Sequence, residues 1–148
     1  MIIELDIVPP RRTHQSSLMI MKNKVTGKPF IGKTSKDPLR EWGEEFIRAI
    51  TPHRPVQPLQ QALSVSYKLI YPYRKGEKKK DTRRGDLIWK HTRPDGDNSI
   101  KYMTDILTKQ RFWEDDSLIT DLRVRKYWGP IPGMIIEWHA LSRIVAPF

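Results

Sequence analysis

Leu63-Ser64-Val65-Ser66-Tyr67-Lys68-Leu69-Ile70-Tyr71, closed by Pro72, is the stretch on which the fold turns. Leu63, Val65, Tyr67, Leu69 and Tyr71 alternate with Ser64, Ser66 and Lys68. That two-residue period sends one set of side chains into a core and predicts a central strand. Working outward, Ile100, Met103, Ile106 and Leu107 recur at helical spacing between about Asn98 and Lys109, with Asp97 as the expected N-cap. Upstream, Leu39, Trp42, Phe46 and Ile50 form the stripe of another helix, capped by Ser35, with Asp37 and Pro38 in its first turn and Thr51-Pro52 at its end. Residues 2–8 alternate as a strand ended by Pro9-Pro10. Leu18 to Met21 and Pro29 to Ile31 flank Lys24-Val25-Thr26-Gly27 as a hairpin or an irregular loop. Leu118, Leu122 and Val124 mark one later strand, and Met134, Ile136 and Trp138 a last one. No internal repeat is visible. These elements predict an α+β fold: one small domain over residues 1–148, with a mixed β-sheet and two principal helices packed on it.

Composition narrows the partners. The 148 residues carry 27 Lys plus Arg against 17 Asp plus Glu, a formal net charge of +10. Such an excess favours polyanions. Nucleic acid is preferred to a membrane surface, because no long basic amphipathic helix is present. No apolar run reaches the roughly 18 residues needed to span a bilayer. The first residues read as a strand, not a signal peptide, so the expected location is cytoplasmic. With no cysteine, disulfides and thiolate metal sites are excluded. His14, His53, His91 and His139 have no metal-ligand spacing. Residues 74–94 hold nine Lys or Arg against three acids and are expected to form a flexible, DNA-facing loop. Lys79, Lys80, Arg83, Arg84, Lys90 and Arg93 there, with Arg11 and Arg12 after the first strand, are the candidate DNA contacts. Trp89 either packs on the domain or stacks on an unpaired base, and packing is preferred.

Against this basic background, carboxylates gather at both ends of the second helix. Arg93-Pro94-Asp95-Gly96-Asp97-Asn98-Ser99-Ile100-Lys101 leads in, and Trp113-Glu114-Asp115-Asp116-Ser117 leads out. Asp95 and Asp97 can turn toward one point if the loop is tight. Lys101 lies one helical turn beyond Asp97 on the same face. Hard cations such as Mg²⁺ bind through a few carboxylates plus substrate phosphate. A bound metal can polarise a phosphate and acidify an attacking water, and a lysine can neutralise charge on the phosphoryl oxygens. The alternative is structural: Asp97 caps a helix and Asp115-Asp116 occupy a solvated turn.

The run Pro94-Asp95-Gly96-Asp97-Asn98-x-x-Lys101, then Asp105 and Leu107, then Phe112-Trp113-x-Asp115-Asp116, resembles the RusA family of Holliday junction resolvases. The resemblance extends through Asp121-x-Arg123-Val124-x-Lys126, is densest over residues 93–126, and is looser over the N-terminal part. It implies a homodimeric, Mg²⁺-dependent endodeoxyribonuclease, with Mn²⁺ as a possible substitute, that cuts branched DNA and four-way junctions in recombination and repair. No membrane or small-molecule cofactor is implied. The phage or prophage type would work in a bacterial host cytoplasm. By position, Asp95, Asp97 and Asp116 would hold metal and Lys101 would be the catalytic lysine, while Asp105 and Asp115 match further acidic positions. Two departures touch packing and turn geometry. Ser99 replaces an apolar residue, and Lys109-Gln110-Arg111 lacks a glycine often found before the aromatic pair.

One motif competes. Gly27-Lys28-Pro29-Phe30-Ile31-Gly32-Lys33-Thr34 fits G-x-x-x-x-G-K-[ST]. In a true P-loop the helix starts within Gly-Lys-Thr, whereas Ser35, Asp37 and Pro38 place it later. Pro29, Phe30 and Ile31 put rigid and bulky groups where backbone should wrap phosphate. No nucleotide site is expected there. The remaining alternatives to a nuclease are a non-catalytic DNA-binding protein and a nucleotide hydrolase using Lys33.

Overall fold

A computed structural model of the chain describes residues 1–11, 18–33, 38–75 and 85–143. In chain order the elements are β1 (Ile2–Leu5), β2 (Leu18–Lys22), β3 (Pro29–Lys33), α1 (Pro38–Ile50), β4 (Leu63–Pro72), β5 (Ile88–Trp89), α2 (Gly96–Lys109), β6 (Ile119–Gly129) and β7 (Gly133–Ala140). Short 3₁₀ turns stand at Thr51–His53 and Asp116–Leu118. The main sheet has the order β1-β7-β4-β6-β5, and β2 and β3 form a separate antiparallel ribbon. Strand β4 pairs antiparallel with β7 and parallel with β6. The mixed sheet and the α+β class therefore agree with the sequence pattern. A parallel neighbour requires a crossover, and α2 supplies it.

The alternation in β4 does what its period predicts. Leu63, Val65, Tyr67, Leu69 and Tyr71 are all buried, while Ser66, Lys68 and Ile70 are half-buried on the other face. Met134, Ile136 and Trp138 of β7 and Ile3 and Leu5 of β1 extend the inner face, which α1 covers with Phe46 and Ile50 and α2 with Ile100, Met103 and Leu107. Trp42 stacks on Phe46 at 5.0 Å between ring centres, and its indole N–H donates to the Val8 carbonyl at 2.8 Å. This ties the chain after β1 to α1.

The end of α2 anchors the turn that leads into β6. Arg111 takes φ +66°, the left-handed conformation in which the missing glycine would be at ease. Phe112 and Trp113 then turn fully inward. The Trp113 indole N–H donates to Thr108 Oγ1 at 2.7 Å, and Leu59 brackets the turn, donating to the Phe112 carbonyl at 3.1 Å and accepting from Glu114 N at 2.9 Å. The turn at residues 115–118 thus hangs from a fixed support.

Three sequence expectations need correction. Helix α2 begins at Gly96, so Asp95, not Asp97, holds the flanking position, and its side chain makes no capping bond. The reason is Ser99, whose backbone N–H and Oγ both close onto the Asp95 carbonyl at 2.9 and 2.8 Å. That bond explains a buried serine at an otherwise apolar position. The first strand ends at Leu5, short of the expected residue 8. The basic segment is not uniformly a loop, because Ile88–Trp89 pairs with Tyr127 and Trp128 at the sheet edge. The expected cap Ser35 and first-turn Asp37 lie outside the described residues.

Candidate active site

Helix α2 carries Asp97, Lys101 and Asp105 four residues apart, which stacks them along one face about 6 Å of rise from each other. That face borders a cleft of about 360 Å³ whose other wall is the start of β6, with Ile119 and Leu122, and the preceding turn, with Asp116. Asn98 and Thr104 also line it. Beneath it the buried Tyr67 hydroxyl shares a 2.8 Å hydrogen bond with Thr104 Oγ1, so the central strand braces the cleft floor. Three carboxylates and one ammonium from residues 97 to 116 therefore meet on one surface feature.

The adjacent pair Asp115 and Asp116 is split by the 3₁₀ turn. Asp115 Oδ1 accepts from Ser117 N at 2.7 Å. That backbone amide, then the Ser117 hydroxyl and the Asp116 side chain, hold the Asp115 carboxyl below its ordinary range. Asp115 is thereby spent on the turn, and Asp116 is the one that lines the cleft. Asp95 sits exposed just before α2 and does not line the cleft. Among the described residues, no three Asp, Glu or His side chains lie close enough together to hold a metal ion by themselves. The donors along the cleft are nevertheless carboxylate, amide and hydroxyl oxygens, the set that suits a hard cation. Mg²⁺ ordinarily uses one or two protein carboxylates, retaining waters and taking the rest from phosphate. The residues present fit that mode.

A second cleft, of about 520 Å³, opens next to the Arg93-Pro94 segment that leads into Asp95. Arg11, Arg74, Lys75, Lys90 and Arg93 line it with Tyr71, Tyr73 and Trp128, and no described carboxylate does. Of the expected DNA contacts, Arg11 and Arg93 are placed beside this cleft. Lys90 is different from a surface contact. It is only 6% exposed, its ammonium lies 4.4 Å from the Trp128 ring centre and 5.1 Å from that of Tyr71, and it donates to Thr92 Oγ1 at 2.6 Å. Burial, then the charges of Lys126 and Arg74, push its pKa down. Its burial comes from aromatic residues distant in sequence, which a run of basic residues does not disclose. Arg12, Lys79, Lys80, Arg83 and Arg84 lie outside the described residues.

Trp89 does both less and more than expected. Its ring packs at a tilt against Tyr127, 4.6 Å between ring centres, yet it remains 64% exposed. His53, His91 and His139 are exposed. At the competing motif, Gly27 ends a turn with φ +67° whose amides at Val25 and Thr26 are taken by the Asn23 side chain. Pro29 to Lys33 are then paired in β3. Backbone that would wrap a phosphate is committed to a ladder; Thr34 lies outside the described residues.

In the sequence Lys126 stands out only as part of a pattern. The structure gives it contacts: its ammonium donates to the carbonyls of Thr92, at 3.0 Å, and Pro94. Asn98 of the cleft likewise stands in the motif without an assigned role, and Thr104 is not part of it. Helical spacing from Lys101 and Asp105 is the available signal.

Comparison with known proteins places the chain in a family. The sequence matches the family described as Endodeoxyribonuclease RusA over residues 10–138. It is also similar to "Uncharacterized protein YqaN" of Bacillus subtilis (strain 168), 28% identical over 113 residues, which span 72% of this chain and 79% of that protein. The family match takes in both helices, the central strand and every carboxylate of the cleft. The chain belongs to the RusA endodeoxyribonuclease family, whose members are Holliday junction resolvases acting on branched DNA.

Proposed function

We propose that the protein cuts four-way DNA junctions by Mg²⁺-dependent phosphodiester hydrolysis in the cleft between α2 and β6, serving recombination and repair. The observation that carries this reading is the meeting of Asp97, Lys101, Asp105 and Asp116 on one cleft, with a cation-lined cleft at the Arg93-Pro94 segment that leads into α2. Asp97 and Asp116, which line the cleft, are the residues that would hold Mg²⁺, or Mn²⁺ in its place; Asp95, at the approach to α2, is the third carboxylate that the family resemblance assigns. When bound, the ion supplies Lewis-acid polarisation of the scissile phosphate and acidifies attacking water. Lys101, one turn beyond Asp97, donates N–H to a non-bridging phosphoryl oxygen as negative charge builds there. Asp105 adds a carboxylate that accepts a hydrogen bond from water in the cleft. Asp115 keeps the turn that presents Asp116.

Arg11 and Arg93, with the basic residues 79–84, take DNA backbone and guide the strand toward Asp95. Each neutralised phosphate releases counterions, so binding is expected to weaken steeply with salt. Residues 1–148 act as one nuclease domain, and two copies work together. A four-way junction has two-fold symmetry and requires two matched cuts, which a symmetric dimer provides.

The test is incubation of a labelled four-way junction with the protein in Mg²⁺, comparing wild type with Asp97→Asn. The wild type is expected to cut, and Asp97→Asn to lose about two to three orders of magnitude in rate while still binding. A wild-type protein that binds junctions but cuts no branched DNA would refute the reading in favour of a binding protein.

A further inference from the structure

We propose that Lys90 and Lys126 are positioning residues for the nuclease reaction, forming a two-lysine clamp on the carbonyls of Thr92, Arg93 and Pro94 that sets Asp95 and the start of α2. This rests on the reading of the α2–β6 cleft as the active site. The contacts are specific. Lys90 Nζ donates to the Thr92 carbonyl at 3.1 Å, to Thr92 Oγ1 and to the Arg93 carbonyl. Lys126 Nζ donates to the carbonyls of Thr92 and Pro94. With Ser99 on the Asp95 carbonyl, four successive carbonyls from 92 to 95 are held from outside the segment. The two lysines are themselves joined, since Lys90 N donates to the Lys126 carbonyl at 2.9 Å.

The arrangement is costly for a merely structural device. Two ammoniums stand near one another, one of them 6% exposed, and neither is paired with a described carboxylate. Taking such charge from water is unfavourable, and apolar side chains of similar volume commonly serve stability as well or better. Carbonyls and aromatic faces recover part of the cost. What apolar residues would not do is fix three carbonyl directions at once. The segment so fixed leads directly into Asp95, and two residues later Asp97 begins the catalytic face of α2.

Strand β6 is the template. Its side chains on one face meet this segment in order. Lys126 binds the Pro94 carbonyl, Val124 packs beside Gly96, and Leu122 forms the cleft wall opposite Asp97 and Lys101. A shift of the segment along β6 would move Asp95, Asp97 and Lys101 together relative to Asp116, which stands just before β6 begins. Partners that orient metal-holding side chains typically change metal affinity or activity by about 10- to 100-fold when removed.

Positioning and simple electrostatics predict opposite signs for metal affinity. Removing a positive charge close to a cation site raises cation affinity if charge is all that matters. It lowers affinity if the charge was holding the ligands in place. The experiment compares full-length wild type, Lys126→Met and Lys126→Arg. It follows thermal melting, junction binding in EDTA, Mn²⁺ titration of DNA-free protein by electron paramagnetic resonance, and single-turnover cleavage in Mg²⁺. Lys126→Met is expected to keep junction binding within about threefold, weaken Mn²⁺ about fivefold or more, and slow cleavage about 10- to 100-fold at saturating DNA. Lys126→Arg, which keeps donors for two carbonyls, is expected to restore most of both losses even if it melts lower. Wild-type or tighter Mn²⁺ affinity in Lys126→Met, or an unchanged cleavage rate, would overturn the clamp alone. So would losses in Lys126→Met that track its melting temperature and that a well-folded Lys126→Arg fails to recover. A wild type that neither binds Mn²⁺ nor cuts branched DNA would instead overturn the nuclease reading beneath it.

Discussion

At the scale of residues, the proposed chemistry depends on which of two like neighbours is already occupied. Asp115 and Asp116 cannot be told apart by composition, yet the Ser117 amide engages one and leaves the other on the cleft. Their difference in role is therefore not legible from the Asp-Asp pair, whereas the four-residue spacing of Asp97, Lys101 and Asp105 is. Lys90 shows the same limit in the basic segment: its sequence neighbours suggest solvent, and Tyr71 and Trp128 bury it. Arg111 gives a clean test of local strain. Its φ of +66° strains a residue that carries a Cβ and leaves glycine at ease. Arg111→Gly is expected to raise stability by about 0.5–1 kcal/mol, read as a higher urea midpoint at unchanged slope. A lower midpoint would mean that the arginine side chain holds the turn.

At the scale of elements, the long strand and the second helix are readable because a sustained run in register makes a period unmistakable. Leu63 to Tyr71 and Ile100 to Leu107 go where their periods place them. Strand β5 is hidden, since two residues have no period and its pairing partner lies far downstream. The start of α2 lies ahead of the expected Asn98 because Ser99, not a cap side chain, closes the first turn. In the proposed function helix α2 is both scaffold and catalytic face, and these roles separate by side. Leu107 is fully buried on the face away from the cleft. Leu107→Ala is expected to cost about 2–5 kcal/mol, measured by denaturant unfolding, while the folded fraction still cleaves within a few-fold of wild type. A large loss of cleavage per folded molecule would show that packing behind α2 also tunes the site.

At the scale of the whole molecule, two buried phenols link the core to pH. Burial, outweighing the Thr104 hydrogen bond, raises the Tyr67 pKa far above its ordinary value of 10.0, and burial likewise raises that of Tyr71. The unfolded chain ionises these groups first. The stabilisation from keeping them neutral is complete below the unfolded pKa near 10 and is lost as pH climbs through the higher folded values. Stability should therefore fall above about pH 10, with Tyr67 and Tyr71 absorbing as phenolates in the ultraviolet only when the fold opens. Titration of both without loss of far-ultraviolet ellipticity would contradict this. The catalytic account has a still more direct test, which uses the two adjacent aspartates. Single-turnover cleavage of a labelled four-way junction in Mg²⁺ is measured for wild type, Asp115→Asn and Asp116→Asn. The account predicts that Asp116→Asn loses about two to three orders of magnitude with junction binding intact, whereas Asp115→Asn stays within about tenfold of wild type. Equal rates for Asp116→Asn and wild type, or a loss confined to Asp115→Asn, would contradict it.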